Sequence, residues 1–331
     1  MLRAMRQGRS VGMIAALVVA VASLLLGAGA PSATAQLPKG SAGNPIRVGS
    51  LRIMGFAPSY LLPELGRQRG VYFEVIDFPR TTERLAALLR GDIDAAFAGW
   101  NGTILLAAKG EPVVAVAGSF NGGYSLLVRA ESPIREVKDL RGKRVAHSIG
   151  SNAEIMLYSQ LKLAGLGPRD VQAVHMGFPE MPIALARGDI DACFCSEPHG
   201  SIAIERGFAR LLKYPYDAGF GDINGNLVIT RQMLESRPEV VEALLRVFVE
   251  AVDNLNKDEQ RLFQVGKDLF KQPDAVVVRA LRNTRLDYRI NARAVEAMAE
   301  WLLRLGQIQR KPRLGAFVDT RLLNRIIGER R

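Results

Sequence analysis

The chain has 331 residues and a formal net charge of +11, with 44 lysines and arginines against 33 acidic residues. That length is sufficient for two lobes of ordinary size. The basic residues are scattered among acidic ones and no basic run alternates with aromatic residues, which excludes a nucleic-acid-binding strip. We therefore predict a solvated basic surface that favours anionic ligands.

The first 35 residues have the pattern of a secretory signal peptide. Three arginines lie among the first ten residues, an apolar run covers 11–30, and Ala33-Thr34-Ala35 forms a small-residue cleavage site. A transmembrane anchor is the alternative, because the run is about long enough to span a bilayer. The cleavage site favours the signal peptide. Because no cysteine lies at the cleavage site, a lipid anchor is excluded. We expect a soluble protein in a periplasm.

After a leader at 36–44, strands alternate with helices, which is typical of α/β lobes with helices on the faces of a sheet. Residues 45–124 are expected to form the first part of one lobe, and residues 125–225 a second lobe. Residues 226–331 would complete the first lobe and add C-terminal helices. The chain thus crosses between lobes twice, and two crossing strands form a hinge that can close on a ligand.

The individual elements follow from periodicity and from glycine and proline signals. Strands are expected at 46–53, 71–78, 93–98, 113–119, 124–129, 144–147, 171–176, up to 195, 209–212 and 226–230. Helices are expected at 60–69, 82–90, 103–109, 137–140, 152–164, 181–187, 202–206, 238–254, 259–270, 274–282, 291–305 and 319–328. Residues 54–59 are expected to form a loop.

The chain contains an internal repeat. LLRGDIDAAFAG begins at Leu88 and LARGDIDACFCS at Leu185, so the two copies are 97 residues apart. This offset is too long for a solenoid and fits one α/β lobe built twice, with a cleft for a small molecule between the copies. The repeat's acids lie at N-terminal strand ends, whereas open α/β sheets bind ligands beyond C-terminal ends. We expect these acids to cap and tie turns; they are Asp92, Asp94, Asp189 and Asp191.

The loops after the strands are therefore the candidate ligand site. Ser148 to Asn152 precede a predicted helix and offer backbone N–H groups to an anion, while a plain N-cap by Ser151 is a compatible alternative. Two roles are open for Phe56 and Trp100, namely stacking on a ligand or sealing the lobe contact. Three are open for Glu197: holding a ligand N–H, forming a lobe-closing salt bridge, or lying at the surface.

Other chemistries lack their motifs. No G-x-S-x-G, Walker loop, G-x-G-x-x-G or H-E-x-x-H sequence occurs, so we expect neither an enzyme nor a cofactor. The histidines and cysteines lack the spacing of a metal site. Cys193 and Cys195 would point the same way from one strand, at the edge of disulfide geometry. We therefore expect two small buried thiols.

Several longer segments resemble the periplasmic substrate-binding proteins of ABC importers, in the group that includes sulfonate, taurine, nitrate and thiamine-precursor binders. They are IRVGSLRI, both GDIDA segments, YSLLVRAESPIREVKDLRGKRVA, LKLAGLGPRDVQAV, CSEPHGSIAIERGFARLL and LVITRQMLESRPEVVEALLRVFVEAV. The resemblance implies the type II periplasmic binding protein fold. This is an α/β fold of two Rossmann-like lobes with mixed sheets, a two-strand hinge and a helical C-terminal tail.

The resemblance also implies a receptor that closes on a small ligand and delivers it to a membrane permease. We expect a monomer and an anionic ligand. Carried over by position, the ligand contacts would come from Gly55, Phe56, Trp100, Asn101, Gly123, Tyr124, Ser151, Asn152 and Glu197, to which the anion nest adds Ser148.

Two departures from the family pattern leave the ligand open. Ser196 stands where sulfonate and taurine binders tend to have Trp, and His199 stands where nitrate and bicarbonate binders have Trp. A periplasmic sensor subunit for a membrane kinase is one alternative function. A pyrimidine-precursor binder or enzyme of the same fold is another.

Overall fold

The computed structural model describes residues 38–329. The predicted signal peptide and the first two residues of the predicted leader lie outside the described residues. Within 38–329, no helix combines the length and the apolar composition that a membrane span requires. Two mixed β-sheets, each with helices on its faces, organise this part of the chain.

The first sheet has six strands. They are β1 (Ile46–Ser50), β2 (Phe73–Asp77), β3 (Ala95–Gly99), β4 (Val113–Gly122), β10 (Ile223–Thr230) and β11 (Thr284–Leu286). Their order across the sheet is β11-β4-β10-β3-β1-β2. β1 is parallel to β2 and β3, whereas β10 runs antiparallel between β3 and β4. The predicted return strand therefore lies in the interior of the first sheet.

The second sheet has five strands. They are β5 (Tyr124–Arg129), β6 (Arg144–His147), β7 (Gln172–His175), β8 (Ala192–Ser196) and β9 (Ala209–Lys213). Their order is β7-β6-β8-β5-β9, with β6 parallel to β7 and β8, and β5 antiparallel to β8 and β9. We call the six-stranded sheet with its helices the first lobe, and the five-stranded sheet with its helices the second lobe.

Helices connect the strands and form most of the C-terminal region. In chain order they are α1 (Leu62–Gln68), α2 (Thr81–Arg90), α3 (Trp100–Lys109), α4 (Asn152–Leu163), α5 (Met181–Arg187), α6 (His199–Glu205), α7 (Arg231–Ser236), α8 (Pro238–Lys257), α9 (Glu259–Phe270), α10 (Asp274–Arg282), α11 (Ala292–Arg304), α12 (Leu314–Phe317) and α13 (Arg321–Gly328). Short 3-10 helices cover Met54–Leu61, Val137–Leu140, Pro168–Asp170 and Phe178–Glu180.

The long helix α8 completes the core of the first lobe. Pro238 occupies its first turn, where the missing N–H costs nothing. Its apolar residues recur three or four positions apart, and Leu244, Leu245 and Phe248 are fully buried. The Phe248 ring meets Phe97 of β3 edge-on, with 5.2 Å between centroids. Each such side chain contributes roughly 1.5–3 kcal/mol by leaving water.

The GDIDA repeat ties each helix–strand unit to the neighbouring strand. The Asp94 carboxylate accepts a hydrogen bond from Arg47 N at 2.7 Å and from its Nε at 3.4 Å. In the second copy the Asp191 carboxylate accepts from Arg144 N at 2.9 Å and from its Nε at 3.2 Å. The prediction that these acids tie turns is confirmed for Asp94 and Asp191.

Two glycines mark the first crossing between lobes. Gly122 and Gly123 join β4 to β5 with φ values of +74° and +77°, in the left-handed region that favours glycine. A Cβ on Gly122 would lie 2.3 Å from the carbonyl oxygen of Asn283. The chain returns through residues 214–222, between β9 and β10. The chain therefore crosses between the lobes twice, as predicted, but the second crossing is an irregular nine-residue segment and not a strand. We call these two crossings the hinge.

The structure differs from the predicted elements mainly in short segments. Residues 54–59, predicted as a loop, belong to the buried 3-10 helix Met54–Leu61, whose turns tolerate Pro58 because proline already has a helical φ. β11, α7 and α12 are absent from the predicted elements. Each has at most six residues, too few to show a hydrophobic period.

Candidate functional site

A small cavity of about 10 Å³, room for about one water molecule, lies between the two lobes. It opens where strands of both sheets end, the usual position of a ligand site in open α/β sheets. The first lobe contributes Leu51, Ile53, Phe56, Thr81, Arg84, Gly99 and Asn224, and the second lobe contributes Tyr124, Ser151 and Phe178. Within the described part of the chain, Arg84 is the only ionised side chain among these residues.

Arg84 is a buried cation with few partners. Its side chain is 1% exposed, its Nη1 donates one long hydrogen bond of 3.4 Å to Ser50 O, and its Nε has no partner. The guanidinium lies 5.5 Å from the centre of the Phe56 ring. No carboxylate in residues 38–329 forms an ion pair with it. Burial lowers the pKa of Arg84 to about 10, so it remains charged at neutral pH.

Helix α2 places Arg84 on its apolar face. Its neighbours on that face are also buried: Thr81 lies one turn before it, Leu85 beside it and Leu88 one turn after it. Gly49 of β1 leaves room for the arginine stem, since a Cβ there would lie 2.9 Å from Arg84 Cγ. The sequence analysis missed this residue. The sequence did contain a signal for a buried arginine. Arg84 occupies the i+3 position of an i, i+3, i+4, i+7 pattern whose other members are the buried side chains of the helix.

Aromatic rings form much of the remaining wall. Phe56 comes from the buried 3-10 helix of the first lobe, while Tyr124 and Phe178 come from the second and meet at 66° with 5.8 Å between centroids. Burial raises the pKa of Tyr124, while the nearby Arg84 charge acts in the opposite direction. The tyrosine is therefore a neutral hydroxyl in the cavity wall.

The Ser148–Asn152 segment forms the N-cap that was one of its two predicted roles. Ser151 Oγ accepts from Ala153 N at 3.2 Å and donates to Ser148 O at 2.7 Å. Glu154 Oε2 accepts from Gly150 N at 2.9 Å. Two backbone donors of the helix start are thus satisfied within the protein. Ser148 is buried below Ser151, and anion binding by this segment stays a prediction.

Three asparagines link the lobes beside the cavity. Asn152 of α4 accepts from Asn101 N at 2.8 Å through its Oδ1. Its Nδ2 donates to Asn224 O and Asn224 Oδ1, both at 3.1 Å. Asn101 Nδ2 donates to Ser151 O at 2.9 Å. We call Asn101, Asn152 and Asn224 the amide clasp. Asn101 and Asn152 were predicted as ligand contacts. The structure brings them together, and they form a hydrogen bond with each other.

Glu197 also links the lobes, without a cation. It is 3% exposed, which makes the surface role wrong. Its Oε2 accepts from Ser201 Oγ at 2.7 Å, and its Oε1 accepts from Asn283 Nδ2 at 3.1 Å. Burial raises the pKa of Glu197, while these hydrogen bonds lower it. The salt-bridge role is wrong for the described residues, because amide and hydroxyl groups hold the carboxylate instead.

The remaining predicted contacts lie around the cavity and not in its wall. Trp100 is 2% exposed and begins α3 within the hydrophobic core. Gly55 lies under the Phe120 ring, where a Cβ would come within 2.2 Å of ring carbons. Gly123 belongs to the hinge, and its carbonyl accepts from Glu197 N at 2.9 Å. Their roles in ligand binding stay predictions.

Cys193 and Cys195 are free, buried thiols, as predicted. Their sulfur atoms lie 3.1 Å apart, and Cys195 Sγ lies 3.4 Å from Met181 Sδ. Burial raises the pKa of the Cys195 thiol, which keeps it protonated. Across residues 38–329, no group of three or more His, Cys, Asp or Glu side chains is arranged to hold a metal ion.

Known proteins resemble this chain in sequence and fold. The "Putative aliphatic sulfonates-binding protein" of Escherichia coli K12 is 29% identical over 187 residues, which cover 56% of this chain and only 58% of that protein. The protein of the same name from Bacillus subtilis 168 is 27% identical over 330 residues, covering 94% and 96% of the two chains.

Among solved structures, the alkanesulfonate-binding protein SsuA from Xanthomonas axonopodis pv. citri, bound to MOPS, superposes with a TM-score of 0.73. The two chains are 23% identical, and the match covers 83% of this chain and 98% of SsuA. This similarity shows the periplasmic binding protein fold. The family described as NMT1/THI5 like matches residues 56–261, well over half of the chain, and the protein therefore belongs to the NMT1/THI5-like family.

Proposed function

We propose that the protein is an extracytoplasmic solute receptor that closes on a small anion and delivers it to an ABC permease. The anion belongs to the sulfonate, nitrate or carboxylate class. Arg84 is the observation that carries the proposal. A buried charge without a counter-charge is costly, and an anion bound in the cavity would offset that cost with charge-assisted hydrogen bonds to the free guanidinium N–H groups.

Both lobes would contribute to binding. The first lobe supplies the cation and Phe56, and the second supplies Tyr124, Ser151 and Phe178. A ligand that contacts both sides has higher affinity for the closed arrangement and shifts the hinge equilibrium toward it. The amide clasp forms only when the lobes meet, so it adds to the stability of that state. A permease would then recognise the closed form.

The relatives support the ligand class. Two of them are named for aliphatic sulfonates, and the solved structure of SsuA is that of an alkanesulfonate-binding protein. A non-enzymatic role is part of the proposal. Neither a cysteine nor a histidine is among the described residues that line the cavity, and these are the usual nucleophiles and bases.

Isothermal titration of the purified chain with propane-1-sulfonate, nitrate and acetate tests the proposal. We expect at least one anion to bind, and Arg84→Met to weaken that binding by roughly 100-fold or more, as for loss of a buried charge pair. Arg90→Met is the matched control, because Arg90 lies on the same helix with its side chain 62% exposed. Equal losses in both variants, or anion binding that survives Arg84→Met, would contradict the proposal.

A further inference from the structure

The cavity wall is positively charged and nowhere negatively charged. Arg84 lines it, and no acidic residue does so among the residues that the structure describes. The other lining side chains are aliphatic, aromatic, hydroxyl or amide groups. A ligand's anionic end thus has a counter-charge, whereas a second, cationic end would have none among these residues.

The three acids nearest the cavity are already engaged elsewhere. Asp77 lies at the end of β2, Glu154 in the first turn of α4, and Glu197 behind the hinge. Each accepts hydrogen bonds from two residues, at distances of 2.5 to 3.2 Å. The partners are Arg52 and Tyr60 for Asp77, Gly150 and Asn101 for Glu154, and Ser201 and Asn283 for Glu197. Turning one of these carboxylates toward a ligand would break its own hydrogen bonds.

An ammonium group in this cavity would therefore lose its hydration and find hydroxyl, amide and aromatic groups but no carboxylate as partners. Burying an unpaired ion costs far more than burying a methyl group of the same size. Arg84 would add repulsion, because it lies in the same low-dielectric space. Phe56, Tyr124 and Phe178 favour an apolar ligand body.

We infer that the site selects monoanions whose remaining part is uncharged, and rejects zwitterions of the same size, such as aminosulfonates and amino acids. The inference rests on the proposed function. It goes beyond the anion class because it states that the rest of the ligand carries no positive charge.

An isosteric series tests this selectivity by isothermal titration. Propane-1-sulfonate, isethionate and taurine have a methyl, a hydroxyl and an ammonium group at the same position of the same skeleton. Butanoate and 3-aminopropanoate form the corresponding carboxylate pair. We expect the methyl compound to bind roughly 100-fold or more tighter than the ammonium compound in whichever series binds. Isethionate should lie within about tenfold of propane-1-sulfonate, because the wall offers hydroxyl partners.

The outcomes separate the two claims. If taurine binds as tightly as propane-1-sulfonate, the selectivity is overturned while the anion receptor stands. If isethionate is rejected as strongly as taurine, polarity and not charge is selected, and the inference is also overturned. If no member of either series binds to folded protein, the proposed function fails and the inference fails with it. Arg84→Met should abolish binding of every member that binds.

Discussion

The two copies of the repeat differ at one position that faces the cleft. Arg84 and Met181 are 97 residues apart and hold equivalent places before the two GDIDA segments. Both are buried, at 1% and 0% exposure. Met181 packs against the Cys195 sulfur, whereas Arg84 points a charge into the interlobe cavity. The second copy shows that this position tolerates an apolar side chain of similar length. The proposed function accounts for the charge in the first copy as the partner of a bound anion.

The loops that follow the repeated strands also differ between the two copies. Gly99 in the first copy corresponds to Ser196 in the second. A Cβ on Gly99 would lie 2.9 Å from Asn152 Oδ1, so the second lobe approaches its backbone closely. Next to Ser196, the Glu197 carboxylate is held by groups that surround it. One scaffold thus carries a charged, closely approached face in the first lobe and an aromatic, internally bonded face in the second.

Acid should destabilise the protein through a residue found only in the second copy. His147, at the place of Ser50 in the first, is fully buried with both ring nitrogens unpartnered. Burial, with a smaller effect from His175, lowers its pKa from 6.5 to about 4. The unfolded state therefore binds more protons between these values, and stability falls as pH drops from about 6.5 to 4. The full effect is on the order of 3 kcal/mol.

Chemical unfolding between pH 7 and 4.5 measures this effect. His147→Ser, which copies the first lobe, should flatten the pH dependence although its cavity lowers stability at pH 7. His199 also has a pKa lowered to about 4 by burial, so a part of the dependence should remain. The exposed His175→Ser should change the slope only slightly, because His175 has the smaller effect on the pKa of His147. An unchanged slope in His147→Ser would contradict the assignment.

Lobe closure should be blocked by one added methyl group. A Cβ at Gly102 of α3 would lie 2.6 Å from the Gly150 carbonyl of the second lobe. Gly102→Ala should weaken ligand binding by roughly 30-fold, about 2 kcal/mol. Its unfolding temperature should change little, because alanine favours the helix and the other close contact, 2.8 Å to Leu85 Cδ1, is with the end of a side chain that can shift. Gly315→Ala is the matched control, since a Cβ there meets nothing within 4 Å. Wild-type affinity in Gly102→Ala would show that the lobes need not approach.

The amide clasp should contribute less than the cation. Asn152→Ala removes the hydrogen bonds to Asn101 and Asn224, and we expect ligand affinity to fall roughly tenfold, mainly through faster release. Stopped-flow dissociation measures this directly. Asn324→Ala, in exposed helix α13, should leave the rate unchanged. A release rate equal to that of the wild type in Asn152→Ala would remove the clasp from the closure mechanism.

The two aspartate ties should be similar in energy, with a slightly larger contribution in the first copy. Asp94→Asn and Asp191→Asn each remove a carboxylate from matching arginine contacts, and Asp94 in addition forms an ion pair with Lys39 Nζ at 2.8 Å. We expect each to lower the free energy of unfolding by about 1 kcal/mol, without affecting ligand affinity. Urea unfolding of the pair measures both. A loss confined to one variant would show that the repeat is alike in sequence but not in energetics.

Patterns local to the sequence predicted most of the architecture. The alternating strand from Ile46 and the amphipathic helix from Pro238 were predicted because their periods are continuous. The site was predicted only in part. Phe56, Tyr124 and Ser151 line the cavity, but Arg84 escaped because its burial depends on Gly49 and Phe56, which come from other elements. Likewise, nothing local to Asn152 indicates a partner at Asn224, 72 residues away.

Ligand-free stability of Arg84→Met tests the central claim most directly. The substitution transfers the residue of the second copy to the first, and removes a buried charge that lacks a protein counter-charge. Replacing such ions with apolar residues is commonly neutral or stabilising. We predict that the variant's unfolding temperature, without ligand, equals or exceeds that of the wild type by a few degrees, on the order of 1 kcal/mol. Added propane-1-sulfonate should stabilise only the wild type. A variant that is less stable than the wild type and still gains stability from the ligand would contradict the account.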